Sequence, residues 1–204
     1  MIFRPTPLPG AWVLEPERIA DARGFFARSF ADEEFEARGL NPHVVQGNIS
    51  WNARKGTLRG MHYQRPPMAE AKLVRCTRGA ILDIIVDLRP ESSTYLEHIA
   101  VELTADNMRS LYVPERFAHG YQVLEDNTDA SYQMSESYTP SAEGGLPYDD
   151  PRLGLDWRLP VTVISARDRS FQPLAETESE LVRRMLPEPP VAGALHAEDA
   201  FAST

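Results

Sequence analysis

The segment that most limits the fold is Ile81-Leu82-Asp83-Ile84-Ile85-Val86-Asp87-Leu88-Arg89, the most apolar run in the chain. It leaves a turn at Gly79-Ala80 and is apolar on both faces of an extended chain, which places it at the centre of a sheet. Strand-like segments at 43–52, 56–64 and 71–77 precede it, and others at 98–104, 108–114, 119–124 and 130–136 follow. Short strands at this even spacing, with turn residues between them, predict an antiparallel sandwich or barrel. Two helices are expected. One covers 30–40, with Asp32, Glu33 and Glu34 in its first turn and Gly39 near its end; the other runs from about 174 to 186.

The 204 residues are 42% hydrophobic and 25% charged, enough for one domain with a substantial core, expected to span 1–186. Residues 187–204 are Pro, Ala and polar side chains with little to bury, and are expected to form a mobile tail. No apolar run is long enough to cross a membrane, and Met1-Ile2-Phe3-Arg4-Pro5 lacks a basic-then-apolar leader, so a cytoplasmic protein is expected. The single cysteine, Cys76, fits a reducing compartment and a buried apolar role. A net charge of −9, from 21 Lys and Arg against 30 Asp and Glu, argues against nucleic acid as a partner. An anionic small ligand would need a local cluster of positive side chains.

The candidate site centres on Gly56-Thr57-Leu58-Arg59-Gly60-Met61-His62-Tyr63-Gln64. Strand alternation puts Leu58, Gly60, His62 and Gln64 on one face and Arg59, Met61 and Tyr63 on the other. Glycines near the arginine let other backbone or a ligand approach closely. His62 is then a candidate base or a candidate metal ligand, with Arg59 facing away from it unless the strand twists or bulges near Gly60. In 43–52, Gln46, Asn48 and Ser50 share a face that suits either water or a polar ligand. In 71–77, Lys72 aligns with Val74 and Cys76, which aims a lysine into an interior or cleft. A cup of antiparallel strands holding inward His, Lys and Tyr suits proton transfer. The metal alternative would draw on His62, Glu70 and His119, but the second ligand of the usual histidine pair would be Gln64, whose amide is a weak ligand; no metal or cofactor is expected. Near the N-terminus, a turn at Arg23-Gly24 leads into Phe25, Phe26 and Phe30, which fit core or a subunit interface.

Several strings recur together in order from about Phe3 to Pro173: Asp21-x-Arg23-Gly24-x-Phe26, Gln46-x-Asn48-x-Ser50, Leu58-Arg59-Gly60-Met61-His62-Tyr63-Gln64, Lys72-Leu73-Val74-Arg75 and Val86-Asp87-Leu88-Arg89. Leu111-Tyr112-Val113-Pro114, Phe117-Ala118-His119-Gly120, Tyr132 with Tyr138, Asp149-Asp150-Pro151 and Ser165-Ala166-Arg167-Asp168 continue the set. In these the chain resembles the dTDP-4-dehydrorhamnose 3,5-epimerase family. The resemblance implies a mostly β, cupin-type antiparallel jelly roll with a few short helices, working as a metal-free homodimer. It implies inversion of C3 and C5 of a nucleotide-linked 4-keto-6-deoxyhexose, with a mono-epimerase or a non-catalytic sugar-nucleotide binder as alternatives. His62 would be the base, oriented by Asp168; Lys72 would stabilise an enolate; Tyr132 would return the proton from the opposite face. Arg23 and Arg59 would hold the diphosphate, and Gln46, Asn48, His119, Glu143 and Arg167 would contact sugar, phosphate or base. Tyr138 would stack on thymine, and some contacts would come from a partner subunit. The chain departs from the family pattern at Arg28, a positive donor where glutamate is usual near the nucleotide, at Arg116, where glycine is usual, and at Leu146-Pro147-Tyr148.

Overall fold

Every residue of the central run is buried from Ala80 to Asp87, and its two faces serve two different cores. In the computed structural model, which describes residues 1–186, Ile81 and Ile85 pack into one apolar cluster while Leu82, Ile84 and Val86 pack into another. The strand is therefore covered on both sides, as a continuous apolar run requires. The expected tail, 187–204, lies outside the described residues.

In chain order the strands begin with β1 (Ile2–Pro5), β2 (Trp12–Glu15), and a short pair, β3 (Ile19–Asp21) and β4 (Gly24–Phe26). Helix α1 (Asp32–Glu36) leads to β5 (Gln46–Asn52), β6 (Leu58–Gln64), β7 (Lys72–Arg78) and β8 (Ala80–Asp87). Next come β9 (His98–Thr104), β10 (Ser110–Val113), β11 (Phe117–Val123), β12 (Thr128–Met134) and β13 (Glu143–Gly145). A single 3-10 turn (Asp168–Ser170) precedes helix α2 (Leu174–Met185).

One sheet has the order β1-β2-β10-β7-β12-β5 and the other β13-β6-β11-β8-β9, with β3 and β4 paired apart from both. Every strand pair within these sheets is antiparallel. From β5 to β8 and again from β9 to β13 the chain alternates between the two sheets, weaving a jelly-roll sandwich. Val74 and Cys76 of β7, Leu111 of β10, and Phe117 and Tyr121 of β11 meet between the sheets. Outside the five-stranded sheet, Leu174, Leu181 and Met185 of α2 cover Met61, Tyr63 and Ala118. Outside the other sheet, Phe35 of α1 covers Leu14, Leu73 and Tyr112.

Both helices differ slightly from expectation, for local reasons. Helix α1 is only five residues long, because Arg38, Gly39 and Leu40 close back on Phe35 and Glu36 in turn-type hydrogen bonds. Helix α2 starts where Asp150 Oδ2 accepts from the Leu174 amide at 2.6 Å, so the Asp149-Asp150-Pro151 string supplies an N-terminal partner from a distant segment. At its other end Arg116 donates to the Met185 carbonyl at 2.8 Å and to Glu91. Arg116 has φ of 63°, a conformation that favours glycine. Its guanidinium ties the turn before β11 to the end of α2 and stands clear of the cavity described next.

Candidate active site

Between the sheets, at one end of the sandwich, lies a cavity of about 540 Å³. The five-stranded sheet contributes Arg59 and His62 from β6 and His119 from β11, and the facing sheet contributes Gln46, Asn48, Lys72 and Tyr132. Tyr138 after β12, Glu143 of β13, and Arg167 and Asp168 at the 3-10 turn before α2 add to the mouth and wall. Eleven of the expected residues thus share one cavity.

His62 is placed by its neighbours on both sides. Leu58 N donates to the Val163 carbonyl at 2.8 Å, which runs the 163–170 segment beside the start of β6 and brings Asp168 beneath the imidazole. Asp168 Oδ1 lies 2.9 Å from His62 Nε2, Asp168 Oδ2 accepts from Gly60 N at 3.2 Å, and Asp168 N donates to Ser165 Oγ at 3.0 Å. Burial alone would raise the Asp168 carboxyl, but donation from His62, Gly60 and Ser165 outweighs it and holds it below the ordinary carboxylate range. An ionised Asp168 can only accept, so His62 Nε2 carries the hydrogen and Nδ1 keeps the lone pair of a base. The ring of Phe171 meets the imidazole edge to face at 6.0 Å. Phe171 in turn lies flat on Gly145, where a Cβ would fall 2.1 Å from the phenyl ring.

Arg59 faces the cavity together with His62, although ideal alternation would separate them. The register explains this: His119 pairs with His62 and Tyr121 with Arg59, so β6 advances three residues while β11 advances two. The extra residue is a bulge at Gly60, whose φ is 132° and where a Cβ would sit 2.5 Å from the Gly120 Cα. Two glycines in contact let the strands close around the bulge, and the bulge re-aims Arg59.

On the facing wall, Lys72 Nζ lies 3.0 Å from Glu70 Oε1, both side chains being buried. Glu70 Oε2 accepts from Gln64 at 3.1 Å, and Gln64 also engages Met68, Ser137 and Thr139. The Gln64 amide is thus committed to the wall. Among the described residues no three His, Cys, Asp or Glu side chains converge as ligands of a metal ion would. Tyr132 is pushed above the ordinary phenol range by burial, partly opposed by the Arg59 charge and reinforced by Glu70. Its hydroxyl therefore keeps its proton at neutral pH and is a donor. At the mouth, Tyr138 donates to Glu143 at 2.5 Å and Arg167 pairs with the same carboxylate. Burial raises Glu143, but these two partners outweigh it and hold the carboxyl below its usual range.

Two expected residues stand elsewhere. Arg23, in the β3–β4 hairpin, is 90% exposed and bonds to Asp21 at 2.5 Å; Arg28 is exposed and pairs with Glu34 at 3.4 Å. Conversely, several side chains that shape the site were not among those expected to bind substrate or catalyse, although Glu70 is a candidate ligand in the metal alternative. Glu70 stands two residues before Lys72, on the same strand face. Asn52 continues the Gln46, Asn48, Ser50 row by one more step. Asp83 interrupts the apolar run at an inward position and holds His119 Nε2 at 2.5 Å. Each breaks or extends a period-two pattern, and that is the signal that could have found them.

Over most of its length the chain is similar to known proteins. The family model described as dTDP-4-dehydrorhamnose 3,5-epimerase matches residues 5–176. A dTDP-4-dehydrorhamnose 3,5-epimerase of Methanothermobacter thermautotrophicus is 43% identical over 177 residues, 85% of this chain and 95% of its own length. A dTDP-4-dehydrorhamnose 3-epimerase of Streptomyces niveus is 36% identical, over 86% of this chain and 85% of its own. The crystal structure of dTDP-6-deoxy-D-glucose-3,5-epimerase from Legionella pneumophila in complex with dTDP-4-keto-L-rhamnose superposes with a TM-score of 0.81 at 35% identity, covering 88% of this chain and 96% of that one. With the cavity, the His62–Asp168 pair and these matches over most of its length, the chain belongs to the dTDP-4-dehydrorhamnose 3,5-epimerase family.

Proposed function

We propose that the chain inverts C3 and C5 of a dTDP-linked 4-keto-6-deoxyhexose by proton transfer between two walls of one cavity. The observation that carries this reading is His62 on one sheet, held by Asp168 from the 3-10 turn, opposite Lys72 and Tyr132 on the other sheet. His62 Nδ1 takes the proton from the carbon beside the C4 ketone, and the C–H electrons move into the ring to leave an enolate oxygen at C4. The Lys72 ammonium stabilises that oxygen, a contribution of about 3 kcal/mol for a well-placed donor. Tyr132 O–H then protonates the same carbon from the opposite face, which turns exchange into inversion, and solvent restores both groups. Only protons move, so the reading needs no metal or cofactor.

Arg59 meets the diphosphate at the rim, Gln46, Asn48 and His119 face the sugar and its phosphates, and Tyr138 stacks on the thymine beside Glu143 and Arg167. Arg23 and Arg28 join the site through a homodimer, in which the β3–β4 hairpin of each copy reaches the neighbouring cavity. Support for that assembly is the apolar surface left open on the outer face of β5, with Ile49 79% and Trp51 56% exposed, and on the hairpin, with Phe26 71% exposed. No described helix is long and apolar enough to cross a membrane.

The reading is tested with dTDP-4-keto-6-deoxyglucose in deuterated water. Deuterium is expected at both C3 and C5 of the sugar. Deuterium at C3 alone would assign mono-epimerisation, the activity in the name of the Streptomyces niveus relative, and no exchange at either carbon would overturn an epimerase reading.

A further inference from the structure

We infer that Asn52 is a positioning residue for substrate binding, whose task is to present the free fork of Arg59 to the diphosphate. The inference rests on the reading of Arg59 given above. Asn52 is buried at the end of β5, and its Oδ1 accepts from Arg59 Nε at 2.8 Å. Its Nδ2 is held by the Ser50 carbonyl at 3.1 Å and the Thr128 carbonyl at 3.3 Å. The Tyr121 hydroxyl, 3.5 Å away, donates on to Ser50 Oγ at 2.9 Å. The amide is therefore locked from behind, and its one free acceptor points at Arg59.

A guanidinium has five N–H donors, one on Nε and four on the two terminal nitrogens. With Nε on Asn52, the four terminal donors have no hydrogen-bond partner among the described residues, and Arg59 lines the cavity with the planar fork that suits phosphate oxygens. No carboxylate among the described residues forms an ion pair with Arg59. Arg23 is arranged in the opposite way: its Nε and one terminal nitrogen are already on Asp21. At Arg59 a neutral amide suits this task, because it fixes the geometry and leaves the charge uncompensated. Asn52 supplies that, on the wall the Gly60 bulge has turned Arg59 towards.

The test is calorimetric titration of the intact protein with dTDP, for the unsubstituted chain, Asn52→Ala, Arg59→Ala and the double variant, each first shown by thermal melting to be folded. Asn52→Ala is expected to weaken dTDP about tenfold, and the double variant to bind no more weakly than Arg59→Ala alone, because the two residues act as a unit. In turnover, KM should rise by about the same factor while kcat falls much less. Additive losses in the double variant, or a fall in kcat at unchanged KM, would overturn the inference. So would unaltered dTDP affinity in Asn52→Ala beside a weakened Arg59→Ala. If Arg59→Ala itself binds dTDP normally, the diphosphate reading of Arg59 fails and this inference falls with it. Should Asn52→Ala not fold, Asn52→Ser is read in its place, with a smaller loss expected in the same direction and none counting against the inference.

Discussion

The cavity wall around His62 and the β3–β4 hairpin around Arg23 are built on opposite plans. His62 is held by Asp168 from below and Phe171 from the side, and Asp168 is itself buried and bonded three ways. The hairpin is three residues paired with three, and every residue of both strands is exposed. Among the described residues, its arginine side chain bonds to its own neighbour, Asp21. The first region is held together within one chain, while the second, in the proposed homodimer, would be completed by a neighbouring copy. Chemistry that depends on ångström placement sits on packed sheet, while the part that would serve a second copy is carried on an exposed hairpin, where the Arg18 guanidinium over the Phe25 ring is a surface contact.

The sharpest way to break this contrast is on the His62 side. His62→Ala should lower kcat by about three to four orders of magnitude, the range for loss of a general base, and leave dTDP affinity within about twofold as judged from a base that makes no uniform binding contact. Lys72→Met should cost about two to three orders of magnitude in kcat, the scale of one oxyanion donor, measured in turnover of dTDP-4-keto-6-deoxyglucose. Both losses should be insensitive to protein concentration, because the groups belong to one chain.

On the hairpin side, Arg23→Ala should raise KM about tenfold, the cost of a charge-assisted contact. It should also be repaired in trans. When Arg23→Ala and His62→Ala chains are mixed and allowed to exchange subunits, the mixed dimer regains one site with both an intact His62 and a neighbour's Arg23. Recovery of activity above that of either parent supports the proposed dimer; no recovery after demonstrated exchange places Arg23 outside the neighbouring cavity.

A smaller effect separates the regions by pH. Both Asp168 and Asp21 have carboxyls held below their usual range, Asp168 because His62, Gly60 and Ser165 outweigh its burial, Asp21 because of Arg23. A carboxyl lowered in the folded state stabilises the fold above its unfolded value of about 4, and the contribution is lost as pH falls through the folded value. Asp168→Asn should therefore lower stability by about 1–3 kcal/mol at pH 7, with the gap to the unsubstituted protein closing below about pH 4. Asp21→Asn, on an exposed hairpin, should track the unsubstituted protein at every pH in thermal melts.

How far the sequence could be read follows from the same physics. The apolar run through Ile84 and Ile85 could only be a central strand, and β9 has the bounds that period-two reading expects, because burial on one or both faces leaves a regular imprint. The inward His62, Lys72 and Tyr132 were legible for the same reason. Arg59 was not, because one extra residue at Gly60 reverses the face of everything before it. In the polar row, Gln46 and Asn48 line the cavity and Ser50 is buried, while Ile49 and Trp51 are exposed, an arrangement that fits a strand with a polar cavity on one side. Arg116 departs from the family pattern for a reason of packing, since it ties β11 to α2.

The most direct test of a base on one wall and an acid on the other is Tyr132→Phe, followed by exchange and stereochemistry together. With dTDP-4-keto-6-deoxyglucose in deuterated water, the account predicts that deuterium still enters beside the C4 ketone while the sugar returns with its original configuration. Inverted product formed by Tyr132→Phe at the rate of the unsubstituted protein would contradict it.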